Sequence, residues 1–299
     1  MTVSLEQLQA IVQAQTTMPS GNWFATLDAA QLNHDTGIDW SDYAAKHEWK
    51  NLLGGTAEGE EADLTCWLAP LTDDILQLTA ELTKTRPFSC TWLQSTWLVD
   101  DIAAFWQDTS NVRLPNGQYG LLRFYDPCVL RPLQNVLTPI QRRTLNSPVT
   151  QWLYIDREGL LANLASPHKT LRKHGQLTLN NKQLKQLQEA GEADGIILQM
   201  QVNDHLPVTH DPFATYRQIN IALDLLKKHH ITDVQEHYLF SVLTLDWPLE
   251  HFDSEALNQA LAGFQQKTTD LTQIIELHSP RLSQATKGPS TQSTMDHAP

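Results

Sequence analysis

The chain reads as an α/β (α+β) N-terminal domain, a mixed sheet flanked by helices, followed by a C-terminal all-helical lobe. Three observations carry this reading. Short apolar runs of strand length alternate with amphipathic helical segments up to about residue 157. From about residue 178 only the helical period recurs. Tryptophan usage changes at the same place, because Trp247 is the only tryptophan that follows residue 157.

The elements follow in order. Ser4 precedes Leu5, Leu8, Ile11 and Val12 at helical spacing, so residues 1–20 form an N-terminal amphipathic helix ended by Pro19-Ser20-Gly21. The α/β domain takes residues 21–157. A first strand at 23–27 leads into Asp28-Ala29-Ala30, and a helix at 41–47 stands behind Asp39 and Trp40. Leu52-Leu53-Gly54-Gly55-Thr56 turns the chain before an acidic loop with Glu58, Glu60, Glu61 and Asp63. Residues 66–71 make a second strand, and Thr72 with Asp73 and Asp74 heads a helix carrying Ile75, Leu78 and Leu82. Residues 88–93 make a third strand, followed by a helix with Leu98, Ile102, Phe105 and Trp106 on one stripe.

Asn116-Gly117 turns the chain into Gly120-Leu121-Leu122-Arg123-Phe124-Tyr125-Asp126-Pro127, an apolar strand that runs into a helix start. Alternation puts Leu122 and Phe124 on one sheet face and Leu121, Arg123 and Tyr125 on the other. Asp126 caps the next helix and Pro127 fits its first position. Pro132 cuts that helix to one short turn, Thr138-Pro139 starts a second, and residues 149–155 form the last strand of this half.

Residues 158–177 read as a linker, with Lys169, Arg172, Lys173 and His174 as a solvated basic cluster. The helical lobe spans 178–278. Asn180 heads a helix with Leu184 and Leu187, weakened by Gly191 and Gly195 at roughly 1 kcal/mol each. Asp211-Pro212 starts a second, with Phe213, Tyr216, Leu223 and Leu226 inward. Thr232 caps a third carrying Val234, Tyr238, Val242 and Leu245, and Ser254 caps a fourth carrying Leu257, Leu261, Phe264, Leu271 and Ile275. Residues 279–299 are rich in Ser, Thr, Pro, Gly and Gln and read as a disordered tail.

Composition narrows the function. A formal net charge of −13 argues against a nucleic-acid partner, which needs clustered Lys and Arg, and favours basic protein partners. Cys66, Cys90 and Cys128 are widely spaced and odd in number, which suits a reducing cytoplasm rather than a disulfide framework. No run approaches the roughly 20 apolar residues of a membrane span, so no stable membrane association is expected. The tryptophan-rich first half suits a protein interface or, more plainly, a large aromatic core.

Signals for chemistry are sparse. His229, His230, Glu236 and His237 lie close together without metal-site spacing, and His205, His210 and Asp211 read as a loop ending in a helix cap. Gly54 to Glu60 has the glycines of a phosphate loop, but Glu60 and Glu61 stand where lysine and a hydroxyl are needed. No G-x-S-x-G elbow is present. No catalytic residue, metal or cofactor is therefore assigned. At the strand–helix junction, Arg123, Tyr125 and Asp126 read either as an acid–base or anion-binding cluster or as a cap, its ion-pair partner and a packed ring.

With Cys128-Val129-Leu130-Arg131, the junction resembles the R-F-Y-D-P-x-V-L signature of the bacterial type VI secretion effector adaptors, the Tap or TEC chaperones. Leu27-Asp28-Ala29-Ala30 is similar to their L-L-D-G-A. Leu52-Leu53-Gly54-Gly55-Thr56 followed by Trp67-Leu68-Ala69-Pro70-Leu71 is similar to L-x-x-G-T and W-L-x-x-L. The likeness covers about residues 22–157, with Ala29 in place of the usual glycine and Pro132 inside the post-signature helix as departures. It marks Arg123, Phe124, Tyr125, Asp126, Pro127, Asp28, Gly55 and Trp67 as partner-binding or signature-structural residues. It implies a cytoplasmic, non-enzymatic scaffold that carries a toxic effector to the VgrG spike protein. A hydrolase-like enzyme built on Arg123, Tyr125 and Asp126, and a toxin-binding immunity protein, are the alternative readings.

Overall fold

The computed structural model describes residues 5–16, 21–32, 37–165, 176–206, 210–264 and 270–278. The basic cluster Lys169, Arg172, Lys173 and His174, the helix-ending Pro19-Ser20 and the tail 279–299 lie outside the described residues. The chain divides into two compact units, Met1–Gly191 and Glu192–Pro299.

The first unit opens with helix α1 (Leu5–Thr16), strand β1 (Asn22–Asp28), and the short helices α2 (Ala29–Leu32) and α3 (Trp40–Lys46). Then come β2 (Lys50–Asn51), α4 (Ala57–Glu60), β3 (Cys66–Pro70), α5 (Asp73–Thr85), β4 (Cys90–Ser95) and α6 (Val99–Ser110). The hairpin β5 (Asn111–Arg113) and β6 (Tyr119–Leu121) leads to α7 (Pro127–Val136), α8 (Pro139–Leu145), β7 (Gln151–Ile155), β8 (Leu161–Ala165) and α9 (Asn181–Ala190). The fold class is the one the sequence implies, a sheet flanked by helices with a helical second part. The main sheet has the order β2-β3-β1-β4-β7-β8, and each of its pairings is antiparallel, so α+β is the fitting label.

Caps sit where side-chain chemistry demands them. Asp39, Thr72, Asp126, Thr138 and Asn180 each accept a hydrogen bond from a first-turn N–H of the helix that follows. Thr138 with Gln141 and Asn180 with Gln183 complete reciprocal capping boxes. On α5 the buried stripe runs through Ile75, Leu76, Thr79, Ala80, Leu82 and Thr83, so Leu78 falls beside it rather than on it.

Register separates the two sheet faces. Phe24, Leu93 and Trp152 lie side by side on one face, and Thr26, Thr91 and Tyr154 beside them. Against this face pack Ile102, Phe105 and Trp106 of α6 together with Phe124, Leu130 and Leu133. Trp106 stacks on Trp152 at 5.2 Å and contacts Phe124 at 4.8 Å, and Trp152 Nε1 donates to Thr91 Oγ1 at 2.8 Å. On the other face Trp92 Nε1 donates to Thr79 Oγ1 of α5, against which α1 lies with Leu8 buried. Trp23, Trp40, Trp49, Trp92, Trp97, Trp106, Trp152 and Trp247 are all buried, so the aromatic wealth of the chain is core.

Several expectations are corrected. The strand expected at 120–125 ends at Leu121, and it belongs to the β5–β6 hairpin instead of the main sheet. From Leu122 the chain turns tightly: Phe124 N–H donates to the Leu122 carbonyl and Asp126 N–H to the Arg123 carbonyl. Leu122, Phe124 and Tyr125 therefore all join one core cluster, which strand alternation would divide between two faces. Helix α7 continues through Pro132, whose missing N–H removes one bond while Leu130 and Leu133 keep the helix seated on the core. Leu98 is exposed and precedes α6 instead of joining its stripe. The linker expected from residue 158 instead begins with a turn and β8, paired along its length with β7, and the first unit extends through α9 to Gly191.

The second unit contains α10 (Glu192–Val202), α11 (Pro212–Lys228), α12 (Val234–Leu243), α13 (Glu255–Phe264) and α14 (Leu271–His278). Of the two glycines expected to weaken one helix, Gly191 ends α9 and marks a break between two, while Gly195 lies inside α10. Asp233 caps α12 in place of Thr232, accepting from Gln235 N–H at 2.8 Å, and Val234 is exposed. The single helix expected after Ser254 is two, α13 and α14. His237 bridges Glu192 and the Ile231 carbonyl, and Lys227 Nζ lies 2.8 Å from Glu192 Oε2. Burial pushes the Glu192 carboxyl up, and the hydrogen bonds from Lys227 and His237 outweigh it, so the group sits below its ordinary range.

Candidate functional site

The last residue of β1 and the turn before α7 meet in space. Asp28 lies directly across from Cys66 on β3, with its backbone N–H bonded to the Ser89 carbonyl at 2.8 Å. Its Oδ2 accepts from Arg123 Nη2 at 2.7 Å and from Gln31 Nε2 at 3.3 Å. Arg123 Nη2 also lies 3.6 Å from Asp126 Oδ2, and its guanidinium stands 5.9 Å from the centre of the Tyr125 ring. Asp126 Oδ1 meanwhile accepts from the Cys128 N–H at 2.9 Å and caps α7. One arginine thus ties the end of a central strand to the start of a helix.

Burial sets the electrostatics. Asp28 is 2% exposed, its Oδ1 has no hydrogen-bond partner, and the Arg123 Nε is likewise buried without one. Desolvation pushes the Asp28 carboxyl from 3.8 up to about 6; Arg123 opposes the rise and Asp126 adds to it. Burial alone would lower Arg123, but Asp28 and Asp126 hold it above its ordinary value. Burial raises Tyr125, with Cys66 and Asp28 adding to it, and burial raises Cys66, with Asp28 adding. At neutral pH the phenol and the thiol are therefore protonated, and neither is a ready nucleophile. Asp28 titrates close to neutrality, yet its free oxygen is sealed from solvent. The chemistry of this arrangement is that of a clasp between two chain segments.

The other marked residues divide. Phe124 is wholly buried against Trp106 and Trp152, and Pro127 is buried at the first position of α7. Gly55 is exposed at φ +84°, in the left-handed region that favours glycine, in the turn after β2. That turn is organised by Asn51, a residue the motif reading passed over. Asn51 Oδ1 accepts from Leu53 N–H and Thr65 Oγ1, its Nδ2 donates to the Gly59 carbonyl, and its own carbonyl accepts from Gln107. Trp67 pairs with Leu27 while Asp28 pairs with Cys66, so Trp67 points to the sheet face opposite the clasp. Cys90, across from Leu27, points there too, and burial pushes its thiol up to about 12. Gln31 had a weak signal in its spacing of three from Asp28; Cys66 had none.

Among the described residues no group of three or more His, Cys, Asp and Glu side chains could hold a metal ion, and no helix is long and apolar enough to cross a membrane. No curated protein and no solved structure matches the chain. Residues 23–144, which hold Asp28, Gly55, Trp67 and the whole of the Arg123 to Pro127 junction, match the model of the family described as Domain of unknown function (DUF4123).

Proposed function

We propose that the chain is a cytoplasmic adaptor of type VI secretion, which binds a toxic effector and loads it onto the VgrG spike protein. The observation that supports this reading is the match over residues 23–144, which takes in each of the adaptor-like motifs, L-D-A-A, L-L-G-G-T, W-L-A-P-L and R-F-Y-D-P. The clasp agrees with it. Two of the motifs, 95 residues apart, join through Arg123 and Asp28 in a structural bond with no open oxygen for a substrate. In this reading the residues of the signature hold a scaffold in shape, and the surfaces of that scaffold do the work.

The experiment is purification of the tagged full chain from bacteria that are actively secreting, with the proteins encoded beside it present at native levels. Recovery of a toxin together with VgrG, and loss of toxin delivery when the gene is deleted, are the expected results. Recovery of neither protein, or undiminished delivery from the deletion strain, would overturn the proposal. Protection of a toxin-exposed cell by this chain alone would point to an immunity protein instead.

A further inference from the structure

Of the histidines and acids that cluster in sequence near residue 230, His237 on α12 is the one that is deeply buried, and both of its ring nitrogens are engaged. Nε2 lies 2.8 Å from the carbonyl of Ile231, in the turn between α11 and α12. Nδ1 lies 2.5 Å from Oε1 of Glu192, the first residue of α10. The other Glu192 oxygen takes Lys227 Nζ at 2.8 Å, from the last turn of α11. One carboxylate thus gathers three helices, and the imidazole is its link to α12.

Counting donors fixes the hydrogens on the ring. A backbone carbonyl only accepts, so Nε2 carries a hydrogen. Glu192 faces the Lys227 ammonium, and its carboxyl sits below its ordinary range although burial opposes this, so it is ionised and also only accepts. Nδ1 therefore carries a hydrogen too. A neutral ring would leave either the carboxylate or the carbonyl facing a bare lone pair, at a residue 4% exposed, where water has little room to substitute. On α12 itself the neighbouring Glu236 carboxyl is pushed up by burial, with Asp233 and Asp270 adding to the rise and His237 opposing it.

We propose that His237 is held as the imidazolium and works as a proton-set latch, which ties α12 and the turn before it to the head of α10 and lets go when one ring hydrogen leaves for solvent. The second unit begins at Glu192, so the latch closes on the first residue of that unit. It needs the ring protonated and the carboxylate ionised at once. It is therefore closed over a window of pH, opening on the alkaline side through the ring and on the acid side through Glu192. The inference is independent of any role in type VI secretion.

The test is nitrogen NMR of the full chain carrying labelled histidine, with His237→Gln to assign the signal. At pH 7.5 a histidine in an unfolded chain, titrating near about 6.5, is mostly neutral. In the folded chain both His237 nitrogens should give the shifts of N–H nitrogens at that pH, and in urea one of them should not. A second measurement follows exchange of the Ile196 and Ile197 amides, which bond back to the head of α10, as the ratio of wild type to Glu192→Gln at each pH, so that base catalysis cancels. The glutamine amide donates to a neutral ring, so the variant has no need of the second hydrogen. Protection in wild type relative to the variant should fall roughly ten-fold as the ring titrates. A single ring N–H in the folded chain at pH 7.5, which means a protonated Glu192 donating to a neutral imidazole, would overturn the proposal. So would a ratio that stays level while the ring titrates. If Glu192→Gln does not fold, the ring nitrogens alone decide.

Discussion

Replacing Asp28 by asparagine isolates the energetics of the clasp. The wild-type carboxyl moves from 3.8 to about 6 on folding, and at ~1.4 kcal/mol per pH unit that interval corresponds to about 3 kcal/mol. The folded chain binds this proton more tightly than the unfolded chain. Between pH 4 and 6 it therefore holds more protons, and the contribution of Asp28 to stability falls as pH rises through that window and levels off above it. The Asp28→Asn variant lacks the titrating group. Wild-type stability minus variant stability should thus drop by about 2–3 kcal/mol from pH 4 to pH 7, most of the full interval, whatever its offset at either end. The buried tryptophans of the first unit give the signal, since Trp247 is the only one in the second, and urea unfolding followed by tryptophan fluorescence at several pH values measures the difference. A flat difference would refute the claim that burial outweighs the Arg123 ion pair. A rising difference would show the Arg123 ion pair to outweigh burial.

Other outcomes follow from the same geometry. Arg123→Ala should destabilise the first unit by roughly 3 kcal/mol at pH 7.5, because it leaves Asp28 buried beside Asp126 without a cation, and by clearly less at pH 5; unfolding at the two pH values checks this. Phe124→Ala should lose about 3–5 kcal/mol by emptying the space beside Trp106 and Trp152, with a weakened near-UV circular dichroism spectrum from the stacked indoles. Asp126→Ala should cost about 1 kcal/mol through the lost α7 cap and Asp126→Asn much less, as read from exchange of the Cys128 amide. In the second unit the Glu192 carboxyl is lowered on folding, so its contribution is present above the unfolded value and lost as pH falls through the folded one. Glu192→Gln should remove about 1–2 kcal/mol at pH 7 and little at pH 3, as measured by amide exchange in α11 and α12.

Most helix starts were legible from local side-chain chemistry, though Asp233 rather than Thr232 caps α12. Asp39, Thr72, Asp126, Thr138, Asn180 and Asp211 head helices because a short polar side chain meets an N–H two or three residues on. The structure departs from local rules where a packed environment overrules them. Pro132 should end a helix, but the buried Leu130 and Leu133 on either side keep α7 whole. Residues 122–125 alternate like a strand, yet the core draws in Leu122, Phe124 and Tyr125 together, and only a turn can deliver three near neighbours to one side. Leu161 to Ala165 is weakly apolar, and it became a strand because β7 offered it an edge.

By itself, the amino-acid order determined where most helices start, which part would hold the sheet and which would be helical, and which residues near 28 and 123 deserved scrutiny. Periodicity and capping act over three or four residues, within reach of sequence inspection. The tertiary structure alone decided that Asp28 and Arg123 share a hydrogen bond across 95 residues, that Trp67 faces away from them, and that β2 and β8 stand at the two ends of the main sheet's strand order. Those outcomes depend on strand order and register, which are set by burying both sheet faces at once, a condition no short stretch of sequence contains.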